Sequence, residues 1–316
     1  MDVTNRSGMP QSPQSNAVGS VVDVAPGRAA GGQHEAAKVF RLLARNIPAL
    51  IGAAIYIGFI LMAIFAPLLA PMDPLEQTLT DRLKPPSWLP GGTTHMLGAD
   101  NLGRDILSRL IYGARVSIIV GASTVAICAI VGSLLGAIAG YWRGRIDASL
   151  MLVLDIWMAF PSLVLAIALS AALGPSIPNL ILALALTGWV AYCRVIRGEV
   201  LSLREREFVL AARVCGASGA RIIIRHLLPN VLAPILVLAT LELATVIIAE
   251  ASLSFLGLGV QAEQPTWGGM LSDGRQFLRQ AWWLAAFPGA AISLLVLGIN
   301  LFGDGLRDAL DPRLRT

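Results

Sequence analysis

The chain has 316 residues, of which 55% are hydrophobic and only 14% are charged. This composition excludes an ordinary soluble domain and predicts an all-α polytopic membrane protein. The net charge of +4 is the excess that basic cytoplasmic loops give such proteins, and it does not indicate a nucleic-acid partner.

The first 46 residues are rich in Gly, Ser, Pro, Gln and Asn, which predicts a disordered cytoplasmic tail. The membrane domain is predicted over 47–316. About 20 apolar residues are needed to cross a bilayer core of roughly 30 Å. Six segments meet or approach that length, and they are about 48–69, 116–139, 150–173, 177–195, 231–256 and 282–302.

The distribution of Lys and Arg predicts the orientation of these spans. With the N-terminus inside, 17 of the 24 basic residues fall in the tail, in 140–149, in 194–230 and after the last span. Cytoplasmic loops of membrane proteins carry such an excess. Both termini and the loop 194–230 are therefore predicted in the cytoplasm.

Three glycines in the second span, Gly132, Gly136 and Gly140, are spaced by four residues. This spacing predicts close packing against a neighbouring helix. Before that span, Leu102, Ile106 and Leu110 predict an amphipathic helix at the membrane interface. Three tryptophans are predicted to mark the outer membrane boundary, namely Trp267, Trp282 and Trp283.

Inside the basic loop, the sequence predicts two short helices joined by a tight turn. The first runs from Glu205 to Cys215, and Gly216 can take the left-handed conformation that ends a helix. Ser218 can cap the second, from Ala220 to Leu228, which Pro229 should end.

The loop combines small side chains with arginines. Ala211 and Ala212 would allow close approach by a partner, and Arg213, Arg221 and Arg225 would orient it. Contact with anionic lipid fits the same pattern. The residues alone leave both interpretations open.

The loop resembles the "EAA" loop of permease subunits in bacterial ATP-binding-cassette importers. The matching positions are Ala211, Ala212, Gly216, Leu228 and Pro229; Leu210 replaces the usual Glu and His226 the usual Ile. RHLLPN is typical of the dipeptide, oligopeptide and nickel branch. Five further stretches resemble its second, C-type permease, and they are 97–117, 155–169, 250–261, 265–275 and 300–315.

The resemblance, which covers about 42–316, implies a type I importer permease fold and a location in the bacterial inner membrane. It also implies that the loop is the helix by which ATPase subunits dock. The residues to which it gives that coupling role are Ala211, Ala212, Arg213, Gly216, Ala217, Ser218, Arg221, Arg225, His226 and Pro229. The implied partners are a second permease, two ATPase subunits and an extracytoplasmic binding protein.

The chain is predicted not to be an enzyme. A phosphate-binding loop needs G-x-x-x-x-G-K-[ST], and the two lysines, Lys38 and Lys84, lie in other contexts. ATP and Mg are therefore expected on the partner subunits. No HExxH, paired Asp motif or Ser/Lys constellation supports a membrane enzyme, and no internal repeat supports an ion-coupled secondary transporter.

Three acidic residues in the predicted spans are candidates for the solute pathway, because a mid-span charge costs about 2.5–3.5 kcal/mol. Glu242 is the preferred one. Asp155 is expected in an ion pair, and Glu250 in a structural or gating role.

The solute is predicted to be a di- or oligopeptide. Cys128, Cys193 and Cys215 have no paired spacing, and His34, His95 and His226 lie far apart, so no metal site is indicated. Nickel chelates, glutathione and opines remain alternatives, because their carriers share the same machinery.

Overall fold

The computed structural model describes residues 41–92, 94–260 and 264–310, and the described part forms helices and turns without a β-strand. In chain order the helices are α1 (Ile47–Ile64), α2 (Ala66–Leu69), α3 (Ile106–Trp142), α4 (Gly144–Met158), α5 (Ser162–Leu173), α6 (Ile177–Leu203), α7 (Glu207–Val214), α8 (Gly219–Ile222), α9 (Leu228–Asn230), α10 (Leu232–Phe255), α11 (Trp267–Gly274) and α12 (Trp283–Leu310). A π-helical turn, Ile223–Leu227, joins α8 to α9.

Five of these helices, α1, α3, α6, α10 and α12, are long and apolar enough to cross a membrane. The predicted span 150–173 is not one straight helix, because α4 and α5 meet at 84°. Pro161 stands at the break, in the position before α5. Proline lacks the N–H that a continuous helix needs, and it disfavours helical geometry in the preceding residue. If this bent pair is one span, the described residues contain six candidate spans.

The helix predicted to lie at the interface before the second span does not exist as a separate element. Leu102 lies in a turn, and α3 runs without a break for 37 residues from Ile106. Asp105 starts it by accepting a hydrogen bond from the backbone N–H of Ser108 at 2.8 Å. At 1.5 Å per residue α3 is about 55 Å long, so it extends beyond the hydrocarbon core.

The glycine spacing in α3 produces the predicted close packing, and its partner is α6. A β-carbon on Gly132 would lie 2.6 Å from that of Tyr192, and one on Gly140 would lie 2.9 Å from the carbonyl oxygen of Arg197. A β-carbon on Gly136 would collide with the backbone of Cys193. The two backbones are thus in close contact at all three glycines, over about two helical turns.

The prediction for the tryptophans is wrong for two of the three. Trp267 is fully buried, and its indole N–H donates to the carbonyl oxygen of Leu110 at 2.9 Å. Trp283 is also buried and its indole N–H lies 3.4 Å from the carbonyl oxygen of Ala99. Only Trp282 is half exposed. The two buried indoles bond acceptors inside the protein, whereas an indole at the membrane interface would face lipid.

Most of the predicted N-terminal tail, residues 1–40, lies outside the described residues. Among the described residues at its end, 41–43 are helical, and Asn46 caps α1 by accepting from the N–H of Ala49 at 3.1 Å.

Candidate functional site

The glycine-turn segment, Glu207–Asn230, lies at the Trp142 end of α3. The predicted turn is confirmed: Gly216 has φ +78°, and its N–H donates to the carbonyl oxygen of Arg213 at 3.0 Å. The N–H of Ala217 donates to the oxygen of Ala212, also at 3.0 Å. This pair of bonds is a Schellman motif, which ends α7. Ser218 does precede the next helix, but its side chain forms no capping bond, contrary to the prediction.

The predicted stop at Pro229 is wrong. Pro229 lies in the first turn of α9, where a helix does not need its N–H, and only Val231 separates α9 from α10. The preceding turn is π-helical, so it contains one residue more than an α-helical turn. The side-chain amide of Asn230 donates to the carbonyl oxygen of His226 at 2.6 Å. The second half of the segment is therefore continuous with a spanning helix.

One face of the segment packs against the rest of the chain. Its fully buried side chains join residues of α3, α6 and the start of α10 in one apolar cluster, namely Ala137, Ile196, Val200, Val209, Ile222, Leu227 and Val231. A β-carbon on Gly219 would lie 3.0 Å from the ring of Tyr141. The guanidinium of Arg213 lies 5.6 Å from the centre of the same ring. The segment is thus fixed on the ends of α3 and α6.

Outside this cluster the segment exposes large apolar side chains. Val214 is 88% exposed and Ile224 is 64% exposed, while Phe208 and Leu210 are about half as exposed as Val214. A structure rarely leaves such a side chain in water unless it meets a partner or lipid. We call these four residues the exposed face.

The residues predicted for coupling divide between the two faces. The exposed ones are Ala211, Arg213, Gly216, Ser218, Arg221, Arg225 and Pro229, and the half-buried ones are Ala212, Ala217 and His226. The predicted small-residue face is therefore split, since Ala212 packs on the internal cluster. Sequence analysis missed Val214, Phe208 and Ile224. Their apolar character between arginines was the signal. Leu210, at the position of the family's Glu, extends the exposed face.

A second candidate site is a cavity of about 730 Å³ at the elbow between α4 and α5. Residues of the elbow, α6 and α10 line it, and the charged ones are Arg194 and Glu242. The remaining wall is mainly apolar, with a few hydroxyl groups from Ser162, Thr187, Thr245 and Ser252. We call it the elbow cavity.

Of the three predicted pathway acids, only Glu242 lines the elbow cavity. Asp155 forms the expected ion pair, with its carboxylate 3.3 Å from the guanidinium of Arg194. Glu250 is fully buried between α3 and α10, where it accepts hydrogen bonds from Ser117 at 2.9 Å and Ser254 at 2.8 Å. These bonds indicate a link between two helices.

A buried ionic cluster lies at the Ile106 end of α3. The carboxylate of Asp100 accepts from the side chains of Arg104, at 2.7 Å, and Arg109, and both arginines approach Asp273. Burial would raise the pKa of Asp100, but Arg109, Arg104 and two backbone N–H donors lower it below its usual value. We call these four residues the Asp100 network.

The cysteines form no disulfide. Cys128 and Cys193 are buried in the helix interfaces and Cys215 is exposed on the glycine-turn segment. Within 41–92, 94–260 and 264–310 no group of three or more His, Cys, Asp or Glu could hold a metal ion.

Comparison with known proteins gives two family matches. Residues 132–316 match the family described as binding-protein-dependent transport system inner membrane component. Residues 36–86 match the N-terminal transmembrane domain of oligopeptide transport permease C. The second match begins inside the predicted tail.

Several curated proteins are similar over most of their length. The chain is 48% identical to the dipeptide transport system permease protein DppC of Alkalihalophilus pseudofirmus, over 88% of this chain and 90% of that one. It is 47% identical to the di/tripeptide transport system permease protein DppC of Pseudomonas aeruginosa, over 86% and 90%. It is 46% identical to a probable D,D-dipeptide transport system permease protein of Escherichia coli, over 83% and 86%.

Proposed function

The chain belongs to the family of binding-protein-dependent transport system inner membrane components, and we propose that it is the permease through which di- and oligopeptides are imported. It is a C-type permease of an ABC importer and a multi-pass inner-membrane protein. The observation that carries the proposal is the 48% identity to a dipeptide permease over 88% of the chain.

We propose that the exposed face of the glycine-turn segment docks on an ATPase subunit. Apolar anchors surrounded by arginines are the usual make-up of a binding surface, since the former supply affinity and the latter orientation. Val214 and Ile224 are the anchors in this proposal. Arg213, Arg221 and Arg225 form the rim.

The remaining partners follow from the same family membership. The importer would contain a second permease, two ATPase subunits that hold ATP and Mg, and a binding protein that delivers the peptide. This chain itself would catalyse no chemical reaction. When ATP binding closes the ATPase pair, the docked segment would move with it and rock the spans between inward- and outward-open states. Glu242 would line the pathway, and Asp155 and Glu250 would hold helices together beside it.

The proposed orientation, with both termini in the cytoplasm, can be tested without engineering. Cys215 is exposed, whereas Cys128 and Cys193 are buried. A membrane-impermeant thiol reagent should therefore label Cys215 in inside-out vesicles and not in intact cells. Cys215→Ser is the control that identifies the labelled residue. Labelling of wild-type protein in intact cells would contradict the orientation.

The solute is tested by growth. An amino-acid auxotroph that lacks this permease, and has no redundant peptide importer, should fail to grow on a di- or oligopeptide that supplies the amino acid. Growth on the free amino acid should be unchanged. Normal growth on the peptide would contradict the proposal. If nickel-dependent enzyme activity, glutathione uptake or opine uptake were lost at the same time, the machinery would be the same and the solute different.

A further inference from the structure

The elbow cavity contains one acidic group that is not paired with any cation among the described residues. The two charged residues of its described wall are Arg194 and Glu242. Arg194 is paired with Asp155 at 3.3 Å. Within the described residues no Lys, Arg or His nitrogen lies within 4.0 Å of the Glu242 carboxylate. The wall therefore holds a carboxyl group with which a cationic ligand group could pair.

The hydroxyl groups of the cavity wall add acceptors to this carboxyl group. Thr187 donates its proton to the carbonyl oxygen of Leu184 at 2.9 Å, and Ser252 donates to that of Ile248 at 2.7 Å. Thr245 makes the same kind of bond, longer at 3.4 Å. A hydroxyl has one proton and two lone pairs. Since the protons are used on the helix backbone, each oxygen keeps lone pairs with which it can accept from a ligand.

On α10 the carboxyl group of Glu242 and the hydroxyl groups of Thr245 and Ser252 form one stripe. Together with Ala249, which has no side-chain acceptor, they all line the cavity and follow one another at spacings of three or four residues. Such residues lie on one side of a helix. The stripe is about 15 Å long at 1.5 Å per residue. It offers successive acceptors along a wall that is otherwise apolar.

We propose that this stripe holds the α-ammonium group of a peptide as it passes through the permease, with Glu242 as the charged contact. An ammonium group has N–H donors and no acceptor, so it complements a wall made of acceptors. A carboxylate or phosphate would be repelled there. The α-ammonium is also the cationic group that peptides of every side-chain composition share. The apolar remainder of the 730 Å³ cavity suits variable side chains. This inference rests on the proposed peptide solute.

The first experiment maps which end of the peptide meets α10. The complete importer, with its binding protein, is reconstituted in vesicles and supplied with two dipeptides. Each carries a diazirine side chain, one at the first residue and one at the second. After irradiation, mass spectrometry should find label on 242–252 mainly from the first-residue probe. Equal labelling of α10 by both probes, or preference for the second-residue probe, would overturn the inference.

The second experiment removes the charge. Glu242→Gln should lower peptide uptake about tenfold, as expected for loss of a charge-assisted hydrogen bond. ATP hydrolysis stimulated by the binding protein is measured in the same vesicles, to show that the variant importer is assembled and coupled. Glu76→Gln, an exposed acid outside the cavity, is the matched control and should change neither. Wild-type uptake by Glu242→Gln would overturn the inference.

The hydroxyl groups give a graded version of the same test. Thr245→Val and Ser252→Ala remove an acceptor each and should lower uptake by about two- to fivefold. Thr240→Val removes a hydroxyl on the same helix outside the cavity wall and should not. If the wild-type importer takes up no peptide, the proposed function fails and this inference with it. If uptake is normal but these variants match wild type, the inference fails alone.

Discussion

The two ends of α3 carry very different surfaces. Around Ile106, the Asp100 network buries charged groups and pairs them within the chain, and two indoles donate to internal carbonyls. Around Trp142, the glycine-turn segment buries only one face and leaves Val214 and Ile224 in solvent. The first end is held by ion pairs and hydrogen bonds within this chain. The second leaves large apolar side chains exposed, so substitutions at the two ends should fail in different ways.

The largest expected effect comes from breaking the Asp100 network. Asp100→Asn leaves Arg104 and Arg109 buried with an incomplete partner, which typically costs about 3–5 kcal/mol. We expect a large fall in the melting temperature of the purified protein. A thiol-reactive dye can follow unfolding through Cys128 and Cys193 in a Cys215→Ser background, since both are buried.

Asp73→Asn is the control for this prediction. Asp73 is exposed and bonds only a nearby backbone N–H, at 2.8 Å. Its replacement should leave the melting temperature nearly unchanged. If Asp100→Asn melted at the same temperature as wild type, the Asp100 network would not stabilise its end of α3.

Breaking the turn at Gly216 should abolish transport without unfolding the protein. Proline fixes φ near −65°, whereas Gly216 has φ +78°. Gly216→Pro also removes the N–H that bonds Arg213. Peptide uptake in vesicles should disappear while the melting temperature changes little. Gly216→Asn is the matched control, because Asn tolerates the left-handed conformation, and it should keep most uptake.

A smaller effect is expected at the exposed face. Val214→Asp places a charge where an apolar contact is proposed, and it should weaken recovery of the ATPase subunits with the tagged permease by about tenfold. Val214→Leu keeps an apolar side chain and should recover them normally. If the Asp variant copurifies as well as wild type, Val214 is not at the docking surface and the exposed face must meet lipid.

The smallest effect is a pH dependence of the Asp100 end. The pKa of Asp100 is lower in the folded protein than its ordinary value of 3.8. Its contribution to stability is therefore complete above about pH 4 and is lost as pH falls through the lower folded pKa. Melting temperature should fall below about pH 4 in wild type and in Asp73→Asn alike. A melting temperature that did not fall in acid would contradict this assignment.

The spans, the glycine seam and the turn at Gly216 could be predicted from the sequence, because each depends on a local pattern. Hydropathy identifies a spanning helix, and glycines spaced by four residues identify the side of it that packs closely. A glycine between two short helices indicates a left-handed turn residue. The ion pair of Asp155 also followed, since an acid in a span needs a partner.

Features that depend on distant partners could not be predicted in this way. Trp267 is buried because its indole finds the carbonyl of Leu110, 157 residues away. Pro161 indicated a break between α4 and α5 but not the 84° angle. The acceptor stripe could be recognised only from the cavity that it lines, although the spacing of Glu242, Thr245 and Ser252 was visible in the sequence. The coupling residues stay a prediction until the docking experiment is done.

The unbroken length of α3 has a mechanical consequence. Its backbone lies against that of α6 at Gly132, Gly136 and Gly140, and neither helix can bend there without separating from the other. α3 itself is about 55 Å long, with the glycine-turn segment packed at one end and the Asp100 network at the other. A tilt of about 10° at one end would displace the other by about 10 Å over that length. A motion of only a few ångströms near a pivot would thus open or close a peptide-sized gate, with no need for a hinge inside the helix.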